Sequence, residues 1–87
     1  MYQVKFTPAA LDQLERLDKS VSQQVFKKLR WLAENFDEST PIPLTGNLKN
    51  IYKLRVGNYR ALYTFSKEDT TIVVHFVEHR SNVYKTK

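Results

Sequence analysis

The stretch YKLRVGNYRALY, residues 52–63, constrains the fold of this chain more than any other part of the sequence. Gly57 and Asn58 form a two-residue turn signal between two runs rich in Tyr, Leu and Val, and this pattern predicts a β-hairpin. A turn of this length fixes the register of the two strands, because it makes Val56 the partner of Tyr59. The expectations about the hairpin depend on that register.

The register divides the hairpin into a basic face and an apolar face. The basic face carries Lys53, Arg55, Arg60 and Leu62. The apolar face carries Tyr52, Leu54, Val56, Tyr59, Ala61, Tyr63 and Phe65. We expect the apolar face to meet the helices and the basic face to lie on the outside. There Arg55 is opposite Arg60, and opposed like charges destabilise a sheet, so a phosphate beside them would offset their repulsion.

Two helices are predicted before the hairpin. Residues 2–6 alternate as a strand does, and Thr7 followed by Pro8 predicts the N-cap and first residue of a helix. The stripe of this short helix consists of Leu11, Leu14 and Leu17. The sequence from Ser20 to Gln23 resembles a capping box and predicts the start of a second helix. That amphipathic helix has about four turns, with a stripe formed by Val21, Val25, Leu29, Leu32 and Phe36.

The rest of the chain completes a small sheet. Residues 37–48 contain two prolines and a glycine and predict a loop. Strands are then predicted at 50–56, 59–66 and 71–78, with a second turn at 67–70. The nearly continuous apolar run TIVVHFV predicts a central strand covered on both faces. The expected fold is α+β, one domain over residues 1–87 with the order β-α-α-β-β-β. An αα-hairpin packs on one face of a small twisted, mostly antiparallel sheet.

Composition excludes several kinds of site. The chain has no cysteine, and its two glycines form no phosphate-binding loop. His75 and His79 would be about 13 Å apart on a strand, too far to share a metal ion, so we expect no metal and no cofactor. No apolar segment fits a signal peptide or a membrane span. The chain is therefore expected to be cytoplasmic, without a membrane partner.

The net charge of +5 lies in the second half of the chain. Residues 1–43 hold six basic and six acidic residues, whereas residues 44–87 hold eight basic and three acidic ones. Such a clustered excess indicates a polyanionic partner, for example nucleic acid, an anionic membrane or an acidic protein. The C-terminal segment adds further candidates for the basic face, which are Arg80, Tyr84 and Lys85.

Four segments together resemble a known family. They are Y-K-L-R-V-G-N-Y-R-A-L-Y, which is the most specific, and F-T-P-A-A-L-D-Q-L, P-L-T-G-N-L and H-R-S-N-V-Y. They resemble the RelE/ParE superfamily of toxin–antitoxin toxins and, within it, the RelE-like messenger-RNA interferases. The resemblance implies a ribosome-dependent endoribonuclease that cuts messenger RNA in the ribosomal A site without a metal, by attack of the 2′-hydroxyl on the adjacent phosphate. It also implies a RelB-like antitoxin as partner.

The resemblance also implies roles for single residues. Arg60 and Arg80 would clamp the scissile phosphate, and Arg55 would stabilise charge without transferring a proton. The general base and acid stay open among three candidates, which are Tyr84, His79 and Lys53. Contacts with ribosomal RNA are expected from Lys27, Lys28, Arg30 and Lys85.

Other functions on the same fold stay open. A ParE-like inhibitor of DNA gyrase would not need the joint set of Lys53, Arg55, Arg60, Arg80 and Tyr84. A non-catalytic RNA- or protein-binding module would bind ribosomes without cutting RNA. An inactive toxin held by its antitoxin would show the same sequence pattern.

Overall fold

The computed structural model describes residues 1–45 and 48–83. The strands are β1 (Gln3–Phe6), β2 (Ile42–Thr45), β3 (Leu48–Val56), β4 (Tyr59–Ser66) and β5 (Thr71–His79). The helices are α1 (Pro8–Arg16), α2 (Lys19–Glu34) and the one-turn α3 (Arg80–Val83), and a 3₁₀ turn spans Phe36–Glu38. The strands form one sheet in the order β1-β5-β4-β3-β2. Only the β1–β5 pair is parallel among these strands, so the predicted α+β fold with a mostly antiparallel sheet is confirmed.

The first helix begins where the sequence predicts it. Thr7 Oγ1 accepts a hydrogen bond from the Ala10 N–H at 3.2 Å and donates one to the His75 carbonyl at 3.1 Å. The Thr7 N–H donates to the Val74 carbonyl at 3.0 Å. The N-cap therefore also attaches the start of α1 to β5, and α1 continues alongside β5 after β1 has ended.

The second helix begins earlier than predicted, so the proposed capping box at Ser20 is wrong. The N-cap is Asp18, and no side chain makes a cap hydrogen bond there. Ser22 Oγ donates instead to the Lys19 carbonyl at 3.0 Å, a local bond that serine often makes inside a helix. The apolar stripe of α2 is confirmed for Val25, Leu29 and Leu32, which are buried, and for Val21, which packs against the core. Phe36 is also buried, but it belongs to the 3₁₀ turn after the helix.

The predicted loop at 37–48 is also wrong, because this range includes the last two residues of the 3₁₀ turn and the edge strand β2. β2 pairs with β3 so that Ile42 lies opposite Lys53 and Pro43 opposite Tyr52. Proline cannot donate to a strand ladder, and this concealed the strand in the sequence. It is tolerated here because β2 is at the edge of the sheet.

β5 lies between two strands, as predicted, but only one of its faces is fully covered. Ile72, Val74 and Val77 are buried, whereas Phe76 is 45% exposed. The register between β4 and β5 shifts, so that Tyr63 pairs with Val74 but Leu62 pairs with Phe76. β5 therefore has one extra residue at this point, a β-bulge, and this lets Val74 and Val77 face the same core although they are three residues apart.

Aromatic rings join the 3₁₀ turn to the sheet. The Phe36 ring lies 4.5 Å from Tyr2 and 4.7 Å from Phe65, measured between centroids. The Tyr2 hydroxyl donates to Asp37 Oδ1 at 3.3 Å. Burial, with a smaller contribution from the Asp37 carboxylate, raises the pKa of the Tyr2 phenol. These contacts close the core on the side that α2 covers.

Replacement of Thr7 by alanine should destabilise the protein by about 2 kcal/mol, because Thr7→Ala removes an N-cap bond and a bond to β5. The matched control is Ser20→Ala, which should change the free energy of unfolding by less than about 0.5 kcal/mol. Urea denaturation of both variants measures the difference. Equal effects of the two substitutions would contradict the role given to Thr7.

Alkaline pH should destabilise the fold partly through Tyr63. Burial, with a smaller contribution from Tyr52, raises the pKa of Tyr63 from 10.0 to about 12. The folded chain therefore holds this proton more tightly than the unfolded chain, and the stability it contributes is complete below pH 10 and lost as the pH rises to about 12. Between about pH 9 and about pH 11, wild type should lose about 1 kcal/mol more than Tyr63→Phe. Parallel urea denaturation curves at the two pH values test this, and identical losses would contradict it.

Candidate functional site

The predicted hairpin register is confirmed. Arg55 pairs with Arg60, Val56 with Tyr59 and Lys53 with Leu62. At the turn, Gly57 has a φ of +59°, and a positive φ at the first central position is what a type II′ turn requires. Glycine therefore fits this position better than any residue with a side chain. The turn fixes which side chains share the basic face.

Arg55 and Arg60 have very different surroundings. Arg55 is exposed, whereas Arg60 is only 6% exposed. The Nη1 group of Arg60 donates to the Gly57 carbonyl at 3.2 Å and to the Tyr59 carbonyl at 3.0 Å. The hairpin turn thus holds the guanidinium of Arg60 in place, so binding of an anion there costs little additional side-chain entropy.

Glu78 is a member of the site that the sequence analysis missed. It is the β5 partner of Arg60, so Arg55, Arg60 and Glu78 form one row across three strands. Counting back from the turn at 67–70 would place Val77 opposite Arg60. The bulge in β5 shifts the pairing by one residue and brings the carboxylate to the side of the basic face.

The Glu78 carboxylate is held from α1. Gln13 Nε2 donates to Glu78 Oε1 at 3.1 Å, and Gln13 Oε1 accepts from the Val77 N–H at 2.7 Å. Within residues 1–45 and 48–83, no ion pair joins Glu78 to Arg60. Gln13 therefore both satisfies a backbone group of β5 and draws the carboxylate away from the guanidinium.

Arg80 is anchored to the same turn as Arg60. Its N–H donates to the Asn58 carbonyl at 2.8 Å, and its side chain is exposed at the start of α3. The Gly57 carbonyl therefore holds the guanidinium of Arg60, and the Asn58 carbonyl holds the backbone of Arg80. This arrangement brings Arg80 to the end of the basic face that Arg60 occupies.

His79 does not share a face with Arg60. Its partner is Tyr59, and the two rings meet edge to face with centroids 5.4 Å apart. Its Nδ1 accepts the Ser81 N–H at 3.3 Å and lies 2.9 Å from Ser81 Oγ. Because a backbone N–H can only donate, Nδ1 is the unprotonated nitrogen, and the proton of the neutral ring is on Nε2.

The other predicted residues are distributed over the surface. Lys53 is half-buried on the basic face, next to Ile42 of β2. Tyr84 and Lys85 lie outside the described residues. The candidate contacts for ribosomal RNA on α2 are exposed, and they are Lys27, Lys28 and Arg30. Arg30 pairs with Glu34 at 3.6 Å.

The chemistry of the basic face suits an anion. Arginine guanidinium groups match the oxygens of a phosphate group, and a lysine adds a point charge. In the part of the chain that the structure describes, no three His, Cys, Asp or Glu side chains come together as a metal site. No helix in the same part is long and apolar enough to span a membrane.

Comparison with known protein sequences identifies the family. The family model described as ParE toxin of type II toxin-antitoxin system, parDE, matches residues 4–84. A putative RelE-like toxin protein of Escherichia coli is 37% identical over 87 residues, which cover 95% of this chain and 90% of that protein.

Two solved structures have the same fold. The RelBE2 toxin–antitoxin complex of Mycobacterium tuberculosis matches with a TM-score of 0.79 and 31% identity, covering 91% of this chain and 98% of the matched chain. The isolated E. coli RelE toxin matches with a TM-score of 0.75 and 26% identity, covering 98% of this chain and 93% of the other. The chain therefore belongs to the RelE/ParE superfamily of toxins from type II toxin–antitoxin systems.

Proposed function

We propose that this toxin is a ribosome-dependent endoribonuclease that cuts messenger RNA in the ribosomal A site and so inhibits translation. The observation that carries the proposal is the position of Arg60, which the hairpin turn holds between Arg55 and Glu78 on one side of the sheet. A buried and oriented guanidinium is suited to a phosphate whose charge grows in the transition state.

The proposed reaction uses a nucleophile that the substrate supplies. The 2′-hydroxyl oxygen attacks the adjacent phosphorus, the bond to the 5′-oxygen breaks, and a cyclic phosphate forms. Because the nucleophile is tethered to the phosphate, positioning provides much of the acceleration. Arg60 and Arg80 contact the non-bridging oxygens, and Arg55 adds positive charge beside them. A base takes the 2′ proton and an acid protonates the 5′-oxygen, so no metal is needed.

The candidates for base and acid differ in their position. Lys53 shares the basic face with Arg60, which supports a role for it in proton transfer or in holding the phosphate. His79 lies on the opposite face, and its Nδ1 already accepts a hydrogen bond, which supports a structural role over proton transfer. Tyr84 lies outside the described residues, and the family resemblance alone supports its proposed role as the base.

The proposed partners follow from the surface and from the relatives. Exposed Lys27, Lys28 and Arg30 on α2 would contact ribosomal RNA, together with Lys85. A RelB-like antitoxin would hold the toxin, since solved relatives include toxin–antitoxin complexes. With these partners the protein would act in the cytoplasm. The alternatives are inhibition of DNA gyrase and non-catalytic binding of RNA or protein. The match to a family model described as ParE toxin supports the first alternative.

Cleavage of messenger RNA on programmed ribosomes should depend on Arg60. We expect Arg60→Ala to lower the rate by about 100-fold, as loss of a donor to a developing oxyanion does. Tyr84→Phe should also slow cleavage. The matched control is Arg16→Ala, since Arg16 is exposed on α1 and pairs with Asp12. Primer extension maps the cuts, with naked messenger as a second control.

Arg60 also supports the hairpin turn, so its variant requires a control for folding. Arg55→Ala removes an exposed cation from the same row, and it should slow cleavage by about tenfold without lowering the melting temperature. The absence of cleavage by wild type, or full activity of both variants, would contradict the proposal. A DNA gyrase supercoiling assay would then be the next measurement.

Glu78 should weaken the binding of messenger. Glu78→Gln removes a negative charge from the row and keeps an oxygen that can accept from Gln13. We expect KM to fall by about fivefold and kcat to stay within about twofold, because one repulsive charge near the phosphate amounts to about 1 kcal/mol in water. The matched control is Glu15→Gln on the exposed side of α1. An unchanged or higher KM for Glu78→Gln would contradict this placement of the carboxylate.

A further inference from the structure

A groove lies between α2, the segment after the 3₁₀ turn and the edge of β3. Its volume is about 650 Å³, which is within the range of ligand-binding clefts. We call it the Trp31 groove, and its walls include Lys28, Trp31, Asn35, Ile42, Lys53 and Arg55. Because Lys53 and Arg55 belong to the basic face as well, the groove continues directly from the candidate site.

Trp31 is the feature of this groove that the fold does not explain. The buried stripe of α2 passes through Val25, Leu29 and Leu32, and Trp31 lies outside it with 46% of its surface exposed. The Lys28 ammonium lies 4.7 Å from the centroid of the indole ring. An exposed aromatic ring with cations around it is a usual element of a surface that binds single-stranded nucleic acid.

The charge of the groove favours an anionic occupant. Among the described residues, its walls carry three cations, Lys28, Lys53 and Arg55, and one acidic side chain, Glu38. Nucleobases stack on aromatic rings whatever their sequence, because every base has a π face. An ammonium at an exposed ring contributes less than a stacked base does. A base can therefore replace Lys28 on the ring, and the ammonium is then close enough to pair with the phosphate of the same nucleotide.

We propose that the Trp31 groove binds a nucleotide that flanks the scissile phosphate. Trp31 stacks on its base, and Lys28 and Arg55 contact its phosphates. Of the three exposed α2 cations proposed to contact ribosomal RNA, Lys27 and Arg30 then remain for that role. The proposal rests on the ribonuclease function, because Arg55 lies in both sites and would connect the flanking nucleotide to the cleaved one. It assigns to Trp31 a role in binding the substrate and no role in the chemical step.

The binding test uses the only tryptophan in the chain. A short single-stranded RNA with 2′-O-methyl groups cannot be cleaved, and it should quench the fluorescence of Trp31 in a saturable and salt-sensitive way. Lys28→Ala should weaken this binding by several fold, whereas Phe26→Leu should not change it. Phe26 is the matched control, since it is also 46% exposed on α2 but does not line the groove.

The kinetic test uses programmed ribosomes. Trp31→Ala should raise KM by about tenfold with little change in kcat, because stacking stabilises bound substrate and transition state alike. Trp31→Phe should restore most of the affinity, since a smaller ring still stacks. Phe26→Ala should leave KM unchanged.

The outcomes separate this proposal from the proposed function. Cleavage by wild type, without quenching by RNA or with an unchanged KM for Trp31→Ala, would overturn the groove and leave the ribonuclease in place. Quenching by RNA without cleavage would overturn the ribonuclease and support a nucleotide site. Quenching by a glutamate-rich peptide and not by RNA would overturn the proposal and make the groove a site for an acidic protein segment.

Discussion

The two-residue turn at Gly57 and Asn58 is the constraint on which the site depends. Its length fixes the register of β3 against β4, and the positive φ of Gly57 makes that turn compatible with the twist of the hairpin. Its carbonyl groups then hold the Arg60 guanidinium and the Arg80 backbone. A single turn therefore sets the register of β3 against β4, the row of charges and the start of α3.

The bulge in β5 is the second constraint. It places a negative charge beside the arginines that the turn brings together. Because of the bulge, Val74 and Val77 are both buried although they are three residues apart. Beyond it, Glu78 lies on the side of the basic face. The carboxylate would otherwise lie opposite Tyr59. Gln13 stabilises this arrangement with two hydrogen bonds, because it accepts one from the Val77 N–H and donates one to the Glu78 carboxylate. Through Gln13, α1 is thereby connected to the charge balance of the site.

These features give the two arginines of the hairpin distinct properties. Arg60 is buried and its guanidinium is held by the turn, whereas Arg55 is exposed to solvent. Repulsion between them is reduced because the Arg60 guanidinium is directed to backbone carbonyls. Membership of the RelE/ParE superfamily explains the shared fold. The chemistry proposed for this chain depends on the row of charges and on the groove that continues from it.

The sequence by itself determined the elements whose signals are local. The turn residues determined the hairpin register, the spacing of Val25, Leu29 and Leu32 determined the core face of α2, and Thr7 with Pro8 determined the start of α1. β2 was missed because Pro43 is a strand-breaking signal except at an edge, and whether a strand is at an edge is known only from the sheet order.

Only the tertiary structure decided how residues far apart in the sequence meet. The bulge that brings Glu78 to Arg60 was not predicted, because it is a property of the pairing of β5 with β4 and not of either strand alone. For the same reason the sequence did not separate His79 from Arg60, did not reveal that Arg60 is buried, and did not place Trp31 in one groove with Arg55. Side-chain type is a local property, whereas burial and proximity result from packing of the whole chain.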